Sequence, residues 1–189
     1  MTADSPPVLY PLDEFYRRAG RPFPAVEARG GDALPDGVRA LLVHERDMTP
    51  TLQHHYGAEL ELDPLEITRQ SDYLMRMVVL RMPSRYPVEF GAIRIHLNGF
   101  PEAARPIILA CRRPLGQILA DFEIVHTTTP GGFFMLKADD LIGPALGQPL
   151  HTPLFGRTAH IRDGRNRPLV DVVEVLTPPI PKPLTRNAP

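Results

Sequence analysis

Tyr73-Leu74-Met75-Arg76-Met77-Val78-Val79-Leu80-Arg81-Met82 decides the fold class. The run is almost wholly apolar, carries β-branched residues at its centre and holds neither Gly nor Pro, so it reads as a strand. A second run of the same kind, Val88 to Leu97, follows after only Pro83 to Pro87. That connection is too short for a parallel crossover, and the two strands form an antiparallel hairpin. The two-residue period places Leu74, Arg76, Val78 and Leu80 on one face, which sets a guanidinium in the middle of an apolar row.

Outward from the hairpin, Leu60 and Leu62 alternate with Glu59 and Glu61 as a preceding strand. Before it, Leu12 to Ala19, Val38 to Val43 and Thr49 to Tyr56 read as short helices, the last with Thr49 as cap and Pro50 at the first helical position. Beyond the hairpin, Pro101 to Cys111, interrupted by Pro106, and Leu115 to Phe122 suit helices crossing one face of the sheet. Further strands are expected at Glu123 to Thr128, Phe133 to Leu136, Thr158 to Arg162 and Leu169 to Leu176. Thr127-Thr128-Thr129-Pro130-Gly131-Gly132 reads as a turn. The expectation is a single α+β domain: an antiparallel sheet of about six strands with helices covering one face. Residues 1–40 form an N-terminal extension with short helices, 41–178 the main domain, and 179–189 a Pro-rich tail.

Composition narrows the function classes. With 189 residues, 43% hydrophobic and 23% charged, the chain can bury the core of one soluble domain. A formal charge of -1 leaves no basic stripe for phosphates or an anionic bilayer, so neither nucleic acid nor membrane is an expected partner. The single Cys111 excludes an internal disulfide. The start of the chain lacks the basic and apolar stretches of a secretion signal, and no run approaches ~18 apolar residues. A cytoplasmic protein is expected. The seven histidines show no metal-ligand spacing, His54 and His55 being adjacent, so no metal is expected. Ser71 and Ser84 lack a nucleophile elbow, and Cys111 has no histidine at a recognisable spacing. Arg112-Arg113 beside Pro114 reads as a solvated turn or a small anion site.

A second charge breaks an apolar row. Val170, Val172, Glu174 and Leu176 share a face of their strand, so Glu174 stands among aliphatic side chains as Arg76 does. Burying either charge alone costs several kcal/mol. Two outcomes are open at this point. Arg76 and Glu174 pair with each other across the sheet or reach solvent, or they line one cavity, the arginine gripping a carboxylate and the glutamate handling a proton.

Met48-Thr49, Tyr73-Leu74-Met75-Arg76, Pro114-Leu115-Gly116-Gln117-Ile118-Leu119, Leu154-Phe155-Gly156-Arg157 and Val173-Glu174-Val175-Leu176 occur in an order and spacing that resemble the chorismate lyase family, over roughly Leu41 to Pro178. The resemblance implies an α+β lyase that converts chorismate to 4-hydroxybenzoate and pyruvate without a cofactor, for quinone or secondary-metabolite synthesis, as a monomer or homodimer. It implies that Arg76 and the backbone N–H of Met48 hold the ring carboxylate, and that Glu174 and the backbone N–H of Leu115 meet the hydroxyl. Arg157 would attract the enolpyruvyl carboxylate. Gly91-Ala92 departs from the family, which tends to carry an arginine after the glycine, and the chain has no tryptophan. Ligand-sensing domains of bacterial transcription regulators share this fold, so a non-catalytic domain that binds an aromatic acid is the alternative, as is a lyase giving a different hydroxybenzoate. Those sensors usually follow a DNA-binding module. About 40 residues precede the matched region, an expected shortfall in length and basicity for such a module.

Overall fold

The structure, a computed structural model, describes residues 8–178; the tail expected over 179–189 lies outside the described residues. In chain order the elements are α1 (Leu12–Arg18), β1 (Val26–Arg29), α2 (Asp36–Leu42), α3 (Met48–Tyr56), β2 (Glu61–Arg69), β3 (Tyr73–Arg81), β4 (Pro87–His96), α4 (Arg105–Ala110), α5 (Leu115–Asp121), β5 (His126–Lys137), α6 (Ile142–Leu146), β6 (Pro153–Asp163) and β7 (Pro168–Leu176). The strands make one seven-stranded sheet in the order β1-β5-β6-β7-β4-β3-β2, every neighbouring pair antiparallel. It is the α+β, antiparallel architecture expected from the hairpin.

The central strands explain the apolar runs. β3 and β4 are buried along nearly their whole length because helices cover both sides of them, so their sequences read as continuous rather than alternating. Helices α2 to α5 gather on one face, as expected, while α1 and α6 close the reverse. On the reverse face Leu12, Phe15 and Tyr16 pack with Met75, Met77, Phe90, Val173 and Val175. On the front, Leu115, Ile118 and Leu119 pack with Leu74, Ile93 and Val172, and Leu41, Leu42 and Leu52 pack with Leu80 and Leu176. The charged residues stand between these two front clusters.

Some details differ from the expectation. Residues 127–132 make no turn: β5 runs through them, and its pairing with β6 slips between Pro130 and Gly132. The Pro and Gly that signalled a turn are accommodated as a bulge, because proline has no N–H to give to the ladder. Two expected strands therefore merge into one. β1 was not foreseen, since its four residues alternate between exposed and half-buried and carry no apolar run. Helix α3 begins one residue earlier than expected, with Asp47 and not Thr49 at its cap position, and ends at Gly57 in the left-handed region with φ +65°. Among the described residues no helix is long and apolar enough to cross a membrane.

Candidate functional site

Register places the charges. Arg157 of β6, Glu174 of β7, Gly91 of β4 and Val78 of β3 lie opposite one another in one row across the sheet. The next row on the same face is Ala159, Val172, Ile93 and Arg76. Arg76 and Glu174 are thus two strands apart and one pleat along, about 12 Å between Cα atoms by ordinary sheet spacing. They do not pair. Both line a cavity roofed by α3 and α5, with about 600 Å³ of atom-free space when its mouth and the solvent there are included.

At one end stands Arg76, 1% exposed. Its Nη2 makes one long contact to the carbonyl oxygen of Arg113, at 3.4 Å, and its Nε and Nη1 have no hydrogen-bond partner among the described residues. A guanidinium keeps its charge in any protein, so a buried positive charge without a counter-charge, and with the Cys111 side chain beside it, lines the cavity.

Glu174 stands at the other end with Arg157. Arg157 Nε donates to Glu174 Oε2 at 2.5 Å, Nη1 donates to the carbonyl oxygens of Leu42 and His44, and Nη2 donates to that of Arg46. Four of the five N–H groups are therefore committed within the protein. The resemblance gives Arg157 a substrate carboxylate; this geometry gives it first to Glu174 and to segment 42–46.

A third carboxyl joins them. Glu89, 4% exposed, lines the same cavity, and its Oε2 has no hydrogen-bond partner among the described residues. Its Oε1 lies 3.4 Å from where a side chain on Gly91 would begin, so the carboxyl lies over the glycine. Burial, and then the neighbouring Glu174, push the Glu89 pKa well above the carboxylate range, against the pull of Arg157. Burial also raises Glu174, but the Arg157 guanidinium opposes it directly. Of the two, Glu89 is the more readily protonated and Glu174, paired with Arg157, the more readily charged. With Glu89 protonated, the buried groups sum to one net positive charge: Arg76 and Arg157 positive, Glu174 negative.

The roof is set by helix starts. Met48 and Leu115 are the first residues of α3 and α5 and both line the cavity. N–H groups at that position have no acceptor within their own helix. The two helices meet closely at Gly116, where a Cβ would stand 3.0 Å from Thr49 Cβ and 3.2 Å from Pro50 Cδ. At the mouth, Thr128 Oγ1 donates to Asp47 Oδ1 at 2.6 Å and His126 Nε2 meets Asp47 Oδ2 at 2.9 Å. The other ring nitrogen of His126 lies 2.6 Å from the carbonyl oxygen of Ile124. With acceptors at both nitrogens the imidazolium is favoured, and the bond to Asp47 raises the His126 pKa despite burial.

All five residues singled out in the sequence, Met48, Arg76, Leu115, Arg157 and Glu174, line this one cavity. Glu89, Asp47 and Thr128 were missed. Glu89 carried the signal that exposed Arg76 and Glu174, since it shares a face with Gly91, Ile93 and Ile95. Its place two residues after Pro87, at the start of a strand, is where a charge ordinarily reaches water. Asp47 and Thr128 meet across 81 positions of sequence. Among the described residues no group of three or more His, Cys, Asp or Glu side chains is placed to hold a metal.

No protein-family model and no curated protein matches the chain. Solved structures do. PhnF from Mycobacterium smegmatis is 14% identical, with a TM-score of 0.57 over 94% of this chain and 89% of that one. The effector domain of the same protein is 12% identical, with a TM-score of 0.54 over 69% and 88%. A transcriptional regulator of the GntR family from Bacillus cereus is 11% identical, with a TM-score of 0.47 over 68% and 100%. At these identities the likeness to PhnF is one of fold: the chain has the architecture of that effector domain.

Proposed function

We propose that the protein binds a small aromatic monocarboxylate with a hydroxyl at the far end of its ring, and that it binds without turnover. The observation that carries this is Arg76, a buried guanidinium with two unpaired nitrogens that lines a cavity carrying two carboxyl groups, Glu89 and Glu174, at its other end. A carboxylate against this guanidinium gives it the counter-charge it lacks and cancels the net positive charge that the site holds when Glu89 is protonated. In this reading the helix-start N–H of Met48 assists Arg76, and Glu174 accepts a hydrogen bond from the hydroxyl. The apolar walls, Val78, Leu80, Ile93, Leu119 and Val172, suit an aromatic ring between the two ends. The fold shared with the effector domain of PhnF supports a binding role.

Lyase activity on chorismate is the second reading. It is favoured by the convergence of Met48, Arg76, Leu115, Arg157 and Glu174 on one cavity. The elimination is driven by aromatisation of the ring and asks for grip on two carboxylates, a base near C4 and a pocket that excludes water. Chorismate is a dianion, however, and it meets only one unpaired guanidinium here, because Arg157 is engaged by Glu174. That charge balance favours binding of a monoanion.

One experiment addresses both. Purified protein is titrated with 4-hydroxybenzoate by calorimetry and incubated separately with chorismate, pyruvate release being followed by chromatography. Saturable binding, lost in Arg76→Met, with no pyruvate released, supports the binding reading. Pyruvate and a hydroxybenzoate formed in equal amounts would establish the lyase instead, and the product isomer would identify which one. Absence of both binding and turnover rules out either reading.

A further inference from the structure

We infer that Glu89 is a specificity residue: its carboxyl, laid over Gly91 beside Glu174, gives the end of the cavity remote from Arg76 two hydrogen-bonding groups, so the preferred ligand carries two adjacent ring oxygens. The inference rests on the aromatic-acid reading above and deepens it.

The geometry is that of neighbouring strands. Gly91 and Glu174 are register partners on β4 and β7, and side chains that start from such a pair stand about 5 Å apart. Gly91 has no side chain, and the Glu89 carboxyl occupies the place above it, with Oε1 3.4 Å from the missing Cβ. Two carboxyl groups therefore stand on neighbouring strands, at roughly the strand spacing of ~5 Å or somewhat more, since Arg157 draws that of Glu174 toward β6. Vicinal hydroxyls on a benzene ring diverge by a sixth of a turn, so acceptors at hydrogen-bond distance beyond them are about 5 Å apart. Hydroxyls one position further apart would need acceptors nearly twice as distant.

Chemistry points the same way. Glu89 Oε2 is buried with no partner among the described residues, and such an atom is costly until something reaches it. Protonated, Glu89 can donate as well as accept, whereas the Glu174 carboxylate only accepts. A ring with a single hydroxyl satisfies Glu174 and leaves Glu89 orphaned. A 3,4-dihydroxy acid satisfies both: one hydroxyl donates to Glu174, and its neighbour exchanges a hydrogen bond with Glu89. The carboxylate of that ligand still meets Arg76, so the charge balance is unchanged.

The test is calorimetric titration of the full chain with benzoate, 4-hydroxybenzoate and 3,4-dihydroxybenzoate, for the wild type, Glu89→Leu and Glu89→Gln. The wild type is expected to bind the dihydroxy acid about tenfold more tightly than the monohydroxy acid. Glu89→Leu brings that ratio to about one, and Glu89→Gln, which keeps a donor and an acceptor, retains part of it. Equal affinities in the wild type overturn the inference while leaving the binding reading intact, and so does a preference that survives Glu89→Leu. Should neither hydroxy acid bind the wild type, the binding reading fails and the role of Glu89 fails with it. The wild-type comparison does not depend on how either variant folds.

Discussion

Arg157 and Glu174 face each other in register across β6 and β7, and their side chains meet at 2.5 Å with the arginine wholly buried. The pair anchors more than itself, because the same guanidinium also holds the carbonyl oxygens of Leu42, His44 and Arg46. Arg157→Met leaves the buried Glu174 carboxylate and three backbone carbonyls without their donor. A loss of roughly 3–5 kcal/mol in urea unfolding is expected, with partial recovery in the double variant Arg157→Met, Glu174→Leu.

Arg76 predicts the opposite separation of stability from binding. Its positive charge is buried and unpaired, so Arg76→Met removes a cost to folding and the apparent Tm of the free protein rises. Affinity for an aromatic carboxylate falls by at least about a hundredfold. Thermal melts with and without 4-hydroxybenzoate check both at once: a higher Tm alone, and no further rise when ligand is added.

The mouth is sensitive to pH. His126 has a raised pKa, so its contribution is fully present below its ordinary 6.5 and is lost as pH rises through the folded value. Asp47 is opposed by its own burial, yet the bonds from His126 and Thr128 bring its pKa below the ordinary 3.8, so its contribution is present above that value and is lost as pH falls through the folded one. The pair stabilises most in mildly acidic solution. His126→Gln is therefore expected to lower the urea midpoint more at about pH 5.5 than at about pH 8.5.

Glu89 has a pH signature of its own. A carboxyl whose folded pKa stands well above its ordinary 4.5 makes stability fall as pH rises from that value through the folded one. Glu89→Leu removes this contribution. The stability of the variant, measured by urea unfolding across that range, is expected to decline less than that of the wild type.

The contact of α3 with α5 at Gly116 is expected to tolerate no side chain. In Gly116→Ala the new methyl group presses on Thr49 and Pro50, both in α3, which must give way by a few tenths of an ångström. A destabilisation of about 1–3 kcal/mol is expected. Weaker binding of 4-hydroxybenzoate by titration is the accompanying readout.

The hairpin of Tyr73 to Leu97 was legible because two long apolar runs with a short connection leave few alternatives. Arg76 and Glu174 were legible because a period of two makes a single charge in an apolar row conspicuous. Whether the two would meet was not legible: that depends on which strands are neighbours, and β4 lies between β3 and β7. Nor was the partner of Glu174, since Arg157 sits opposite it only once β6 and β7 are in register. The turn expected at Pro130 failed because local turn chemistry yielded to pairing with β6 along the rest of β5.

The sheet is open, and strands at open ends can recruit further strands into aggregates. Among the described residues the outermost are β1, four residues long, and β2. β2 carries an exposed Pro64, which has no N–H to offer, beside a slip in its pairing, with exposed Glu61 and Arg69 at its two ends. A brief strand at one margin and a proline-broken, charged one at the other make poor templates. The protein is thereby guarded against fibrous self-association, and a concentrated solution of it is expected to stay clear.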